Sequence, residues 1–158
     1  MQPEWKKKKL KAWMEAYGDA VLRTCYLYLK DRYLSEDAAQ ETFVKVYEHM
    51  ETFRGESSEK TWITRIAVNV CKNYIRKNWF QKERTSLDEG RQQDGSYEMA
   101  EDGMTLVPAI FGLPEKYREV ILLYYYRELK VKEIADILDL KEAAVLQRLK
   151  RGRADVGI

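Results

Sequence analysis

Few side chains in this sequence are placed to make or break bonds. His49 is the single imidazole, and Cys25 and Cys71 are the only cysteines, far apart in the chain. There is no CxxC pair and no glycine-rich phosphate loop, so metal, nucleotide and histidine-dependent chemistry lack their usual ligands. His49 reads as a helix-surface residue, Glu41 with Glu48 as a solvated pair, and the cysteines as small core residues. No catalytic residue, metal or cofactor is expected, and the chain reads as a non-enzyme. The residues that do carry chemistry point to recognition. Trp62, Arg65, Asn69, Lys72, Asn73, Arg76 and Trp79 fall in a stretch from 60 to 82 that holds no Asp or Glu. Cations meet phosphates, amides meet base edges, and indoles stack on unpaired bases. That mixture suits single-stranded or opening DNA.

Those residues need a helix to gather them. At about 100° per position, Ile63, Ile66, Ala67, Val70, Cys71 and Tyr74 share one face and the recognition residues the other, within an arc of about 120°. The helix is predicted over about residues 61–82. Other helices are predicted over about residues 9–30, from a Ser35 N-cap with Ala38, Ala39, Thr42, Phe43, Val46, Tyr47 and Met50 behind it, and from Leu113-Pro114-Glu115, with Pro114 at the first helical position, to about Glu128. Two short helices, about 131–138 and 142–154, have helix-turn-helix spacing. Ile134, Ala135 and Leu138 face inward from the first, and Val145, Leu149 and Gly152 from the second. Ala144, Gln147, Arg148 and Arg151 are left outward, where Arg and Gln can read base edges in a major groove. No segment alternates as a strand does, so the fold class is all-α.

Charge divides the chain. Residues 1–82 hold 16 basic and 11 acidic side chains, 83–106 hold 2 and 7, and 107–158 hold 10 and 8. The middle segment is also the poorest in apolar residues and carries Gly90, Gly95 and Gly103. It reads as a flexible acidic linker between two small helical domains, 1–82 and 107–158. Its acidity either keeps it solvated or mimics nucleic acid. The basic run 6–9 reads as a solvated tail. No apolar run reaches the ~18 residues of a membrane span, no signal-peptide core follows the basic start, and the sparse cysteines fit a reducing cytoplasm.

In this order the segments resemble the extracytoplasmic-function group of bacterial RNA polymerase sigma factors, within the sigma-70 family. SEDAAQETFVKVYEHM is similar to that group's core-polymerase-binding helix. FRGESSEKTWITRIAVNVCKNYIRK is similar to its promoter-opening and minus-ten segment. LPEKYREVILLYYYRELKVKEIADILDLKEAAVLQRLKRGR is similar to its minus-thirty-five domain. The resemblance implies that Asp37, Gln40 and Glu41 dock on core polymerase. It implies that the loop 53–60, with Arg54 and Lys60, captures a flipped non-template base, and that Trp62, Arg65, Asn69, Lys72, Asn73 and Arg76 read and open the minus-ten element. Ala144, Gln147, Arg148 and Arg151 fall on its minus-thirty-five recognition helix, and the linker corresponds to the segment threading toward the polymerase active centre. The implied partners are core polymerase, promoter DNA and a cognate anti-sigma factor, often membrane-bound. The chain departs from the pattern at Glu59, where an aromatic or apolar residue is frequent, at Asn73 for Asp, at Asp139, near which Gly is usual, and at Ala144 for Thr. Two other functions fit the residues: a sigma-like decoy or partner subunit that binds core without reading promoters, and a free-standing helix-turn-helix regulator.

Overall fold

The computed structural model describes the backbone of residues 3–85 and 106–158 and the side chains of 3–77 and 108–158. The described residues are helical and contain no strand. The chain divides into two compact units, Met1–Gln92 and Gln93–Ile158. The linker expected over 83–106 lies outside the described residues, apart from the backbone at its two ends.

The first unit is a bundle of three mutually packed helices, α1 (Glu4–Leu29), α2 (Arg32–His49) and α3 (Glu59–Thr85). Its core draws Trp13, Val21 and Cys25 from α1, Ala38, Phe43 and Val46 from α2, and Ile63, Ala67, Val70 and Cys71 from α3. Ala38, Ala67, Cys25 and Cys71 are fully buried, and small side chains of this kind let helices approach closely. The two thiols meet in the middle of the bundle. Cys25 beside it, and then burial, push the Cys71 thiol far above its ordinary range, so Cys71 stays neutral.

Helix α2 starts a turn earlier than the expected Ser35 cap. Lys30 adopts a left-handed conformation (φ 54°) that ends α1. Asp31 is then extended, and its carboxylate accepts from the Leu34 amide at 3.0 Å. Asp31 is therefore the N-cap. Ser35 is buried one turn inside, its hydroxyl donating to the Asp31 carbonyl. Helix α1 also begins before the expected residue 9, and the basic run is not all tail. Lys6 is buried, pairs with Glu51 and lies over the Tyr47 ring at 4.4 Å.

The second unit comprises α4 (Leu106–Phe111), α5 (Glu115–Ile121), a π-helical turn (Leu122–Tyr126), α6 (Val131–Leu138) and α7 (Glu142–Val156). Pro114 is the N-cap of α5 rather than its first residue, because its ψ of 147° is extended. The α-helix expected to run to Glu128 stops at Ile121, widens into the π turn, and is ended by Glu128 at φ 54°. Ile110, Val120, Ile121, Leu122, Leu123, Ile134, Val145 and Leu149 are among the buried residues of its core. In α6 the buried position falls to Ile137, and Leu138 is half-buried, because the helix turns its centre onto Ile134. Glu133 closes the start of α6 by accepting from the Lys130 amide at 2.9 Å.

Candidate nucleic-acid interface

Helix α3 is started by Ser58, whose hydroxyl oxygen accepts from the Thr61 amide at 3.0 Å. One face then disappears into the core at Ile63, Ala67, Val70 and Cys71. The opposite face leaves Arg65, Asn69 and Arg76 exposed and Trp62, Lys72 and Asn73 half-buried. Arg76 donates to the Asn73 side-chain carbonyl. With its oxygen accepting that bond, the Asn73 amide keeps its NH2 group as a donor. With no carboxylate from 60 to 82, the surface is attractive to a polyanion along its described length. Trp79 belongs to the part of α3 whose side chains lie outside the described residues.

Trp62, expected to be free for stacking, is held on one side by other rings. Its centroid is 5.2 Å from that of Phe53 and 5.9 Å from that of Trp13, and Trp13 meets Phe53 edge-on at 5.9 Å and 86°. Aromatic pairs at these separations add about 0.5–1.5 kcal/mol each to simple burial. Beneath the rings, Glu59 Oε2 accepts from Trp13 Nε1 at 2.8 Å and Glu59 Oε1 from the Tyr17 hydroxyl at 3.1 Å. Burial, and then the Glu59 carboxylate, raise the Tyr17 phenol above its ordinary value, keeping it a donor. The loop between Phe53 and Glu59 carries Arg54, exposed, and Gly55 at φ 75°, a conformation that favours glycine. Lys60 follows, half-buried.

On α2, Asp37 and Gln40 are exposed and Glu41 is half-buried. The Tyr74 hydroxyl donates to Glu41 Oε1 at 3.4 Å. Burial, then the charges of Glu41 and Asp37, raise the Tyr74 phenol. Tyr74 thereby joins the acidic face of α2 to the basic helix α3.

In the second unit Gln147 and Arg151 are exposed and Ala144 and Arg148 half-buried, while Val145, Leu149 and Gly152 are buried beneath them. The outward residues line a groove of about 560 Å³ together with Lys116, Tyr117, Lys150 and Ala154. Lys116, Tyr117 and Lys150 were not anticipated. Lys150 was legible as an exposed cation between Gln147 and Arg151. The α5 pair depended on Gly152, where an added Cβ would meet Ile121 at 3.0 Å and Tyr117 at 3.6 Å; the missing side chain lets α5 lie against α7. The turn before α7 holds Asp139 in the left-handed region (φ 56°), and Lys141, the N-cap of α7, gives it no side-chain hydrogen bond. Among the described residues no three His, Cys, Asp or Glu side chains are grouped to hold a metal ion, and no helix is long and apolar enough to cross a membrane.

Two family models match the chain, Sigma-70 region 2 over residues 7–81 and Sigma-70, region 4 over residues 109–156. The chain is 32% identical over 156 residues to the ECF RNA polymerase sigma factor SigW of Bacillus subtilis (strain 168), covering 89% of this chain and 82% of that protein. It is 33% identical over 146 residues to SigM of the same organism, covering 88% and 87%. Among solved structures it matches one of CnrH in complex with the cytosolic domain of CnrY, with a TM-score of 0.73, 22% identity and coverage of 96% and 86%. It also matches one of RpoE in complex with the anti-sigma factor NepR from Bartonella quintana, with a TM-score of 0.74, 18% identity and coverage of 94% of each chain. At those identities the structural likeness concerns the fold.

Proposed function

The chain belongs to the extracytoplasmic-function group of the sigma-70 family of RNA polymerase sigma factors, and from that premise we propose how its surfaces divide the work of initiation. As a sigma factor it binds core RNA polymerase and directs it to promoters. It is a transcription initiation factor, and the polymerase supplies the bond-making chemistry. We place it in the cytoplasm with the enzyme it serves.

Asp37, Gln40 and Glu41 dock on core polymerase. Arg54, Lys60, Trp62, Arg65, Asn69, Lys72, Asn73 and Arg76 hold and open the minus-ten element. Ala144, Gln147, Arg148 and Arg151, extended by Lys116 and Lys150, hold the minus-thirty-five duplex. The segments 1–82 and 107–158 act as the two promoter-binding domains, with 83–106 as their acidic linker. The observation that carries this division is the carboxylate-free face of α3 opposite its buried, largely apolar one. That face pairs cations for phosphates with the amides of Asn69 and Asn73 for bases. A cognate anti-sigma factor is a further proposed partner; a solved protein of the same fold is bound to one.

Run-off transcription with purified core polymerase and fragmented genomic DNA, with and without the protein, tests the reading. The expected result is a set of new start sites sharing two spaced upstream elements. Core binding without new starts would leave the decoy subunit. Neither starts nor core binding, with duplex binding by the chain alone, would leave the free-standing regulator.

A further inference from the structure

Both ends of the exposed loop between the 3₁₀ turn Met50–Thr52 and α3 land on one side chain of α1. At its start, Phe53 stands edge-on to the Trp13 ring. At its end, Glu59 takes the Trp13 Nε1 hydrogen at 2.8 Å. Trp13 is 4% exposed, so its indole N–H needs an acceptor inside the protein, and leaving it bare would carry the full penalty of a buried donor. Glu59 spends its second oxygen on Tyr17, one helical turn further along α1. A carboxylate in the first turn of α3 is itself favoured by the helix dipole. An indole ring has only two rotatable bonds, so these contacts fix Phe53 and Glu59 against each other and leave 54–58 as a short exposed arch. Trp62, one turn beyond Glu59, rests on the same two rings.

We propose that Trp13 and Glu59 are positioning residues for promoter opening: α1 sets the shape of the 53–60 loop through the Trp13–Glu59 hydrogen bond, and that shape determines which base the loop accepts. The inference rests on the proposed role of the loop in capturing a non-template base. It assigns to α1, otherwise a packing helix, a part in base selection without contact to DNA.

The test uses reconstituted holoenzyme and single-stranded non-template minus-ten oligonucleotides carrying each of the four bases at the captured position. Glu59→Gln can still accept from Trp13 and can donate to the Tyr17 oxygen. It is expected to keep the wild-type order and spread of affinities. Glu59→Leu removes both links, and the preference for the best base is expected to shrink about tenfold, the size of one lost charge-assisted hydrogen bond. Affinity for core polymerase should stay within about twofold in both variants. Should Glu59→Leu fail to fold, Trp13→Phe keeps an aromatic ring in the cluster, deletes the N–H together with part of the indole's bulk, and is expected to lose the same preference. Unchanged base preference in Glu59→Leu, or an equal loss for all four bases alongside a loss of core binding, would overturn the proposal, since a purely structural link lowers everything together. A wild-type holoenzyme that starts transcription yet prefers no base would remove the loop's role and the inference with it, leaving the sigma assignment intact.

Discussion

Trp13 Nε1 donates to Glu59 Oε2 at 2.8 Å, joining α1 to the start of α3 across 46 residues of sequence. The acidic residue departs from the aromatic or apolar one that the sequence resemblance leads one to expect, and the indole gives the carboxylate its partner. A buried N–H asks for an acceptor, the first turn of a helix welcomes a negative charge, and Tyr17 uses the remaining oxygen. The departure is a local compensation within the first unit.

Arg65 and Asn69 are exposed, and they project from α3 into solvent. Arg65→Ala and Asn69→Ala are therefore expected to leave thermal stability within about 0.5 kcal/mol. Both should weaken promoter binding by the holoenzyme. For Arg65→Ala the slope of log affinity against log salt should fall by about one, the signature of a lost phosphate contact. Titrations at several salt concentrations check this; an unchanged slope would show that Arg65 does not meet a phosphate.

Arg148 and Gln147 sit over the buried ridge of Val145, Leu149 and Gly152. Arg148→Ala is expected to cost about 1–3 kcal/mol in discrimination at one base pair of the upstream element. Lys150→Ala, by contrast, should weaken all upstream sequences alike. Competition binding with a panel of single-base variants separates the two behaviours.

Glycine inside a helix is normally improved by alanine, and here Gly18 and Gly152, the helical glycines among the described residues, should respond with opposite signs. Around Gly18 an added Cβ meets nothing within 4 Å, so Gly18→Ala should stabilise the first unit by about 0.5–1 kcal/mol. At Gly152 the same Cβ would lie 3.0 Å from Ile121 Cγ1 and 3.2 Å from its Cδ1. Overpacking of about 1–3 kcal/mol then exceeds the helix gain. Gly152→Ala should lower the melting temperature and, by pushing α5 away, widen the groove that holds Lys116 and Tyr117.

Cys25 and Cys71 should resist alkylation in the folded protein and react once urea unfolds it, a difference that mass spectrometry reads directly. The Cys71 thiol is raised from an ordinary value of 9.0. A group whose folded pKa is raised contributes stability that is whole below the unfolded value and lost above it. Urea stability should accordingly fall above about pH 9, by up to about 1.4 kcal/mol per pH unit for this thiol. Cys71→Ala should flatten that slope. An equal slope in the variant would assign the alkaline loss to the raised phenols of Tyr17 and Tyr74.

Periodicity made the helices and most of the core legible. Val145, Leu149 and Gly152 face inward as their spacing requires, and so do Ile63, Ala67, Val70 and Cys71. Element boundaries were less legible, because Ser35 and Asp31 are both good caps. The choice fell to the left-handed Lys30, which no local rule assigns to a lysine. Of the recognition stripe, the exposed Arg65, Asn69 and Arg76 share the face their spacing gave them. Trp62 shows the limit of a helical wheel: an angle on one helix says nothing of the ring that α1 brings alongside. The same holds for Lys6, which reads as a solvated tail until Glu51 and Tyr47 arrive from elsewhere in the chain.

The aromatic cluster has an optical consequence. All four tryptophans, Trp5, Trp13, Trp62 and Trp79, belong to the first unit, and the second contains tyrosine and phenylalanine but no indole. Light absorbed at the red edge of the protein spectrum therefore excites one half of the molecule alone. Within that half, Trp13 and Trp62 lie with ring centroids 5.9 Å apart and tilted by 59°, close enough for their transitions to couple and to give a near-ultraviolet circular dichroism band of their own. The unlabelled protein thus carries a native chromophore pair at the foot of the 53–60 loop.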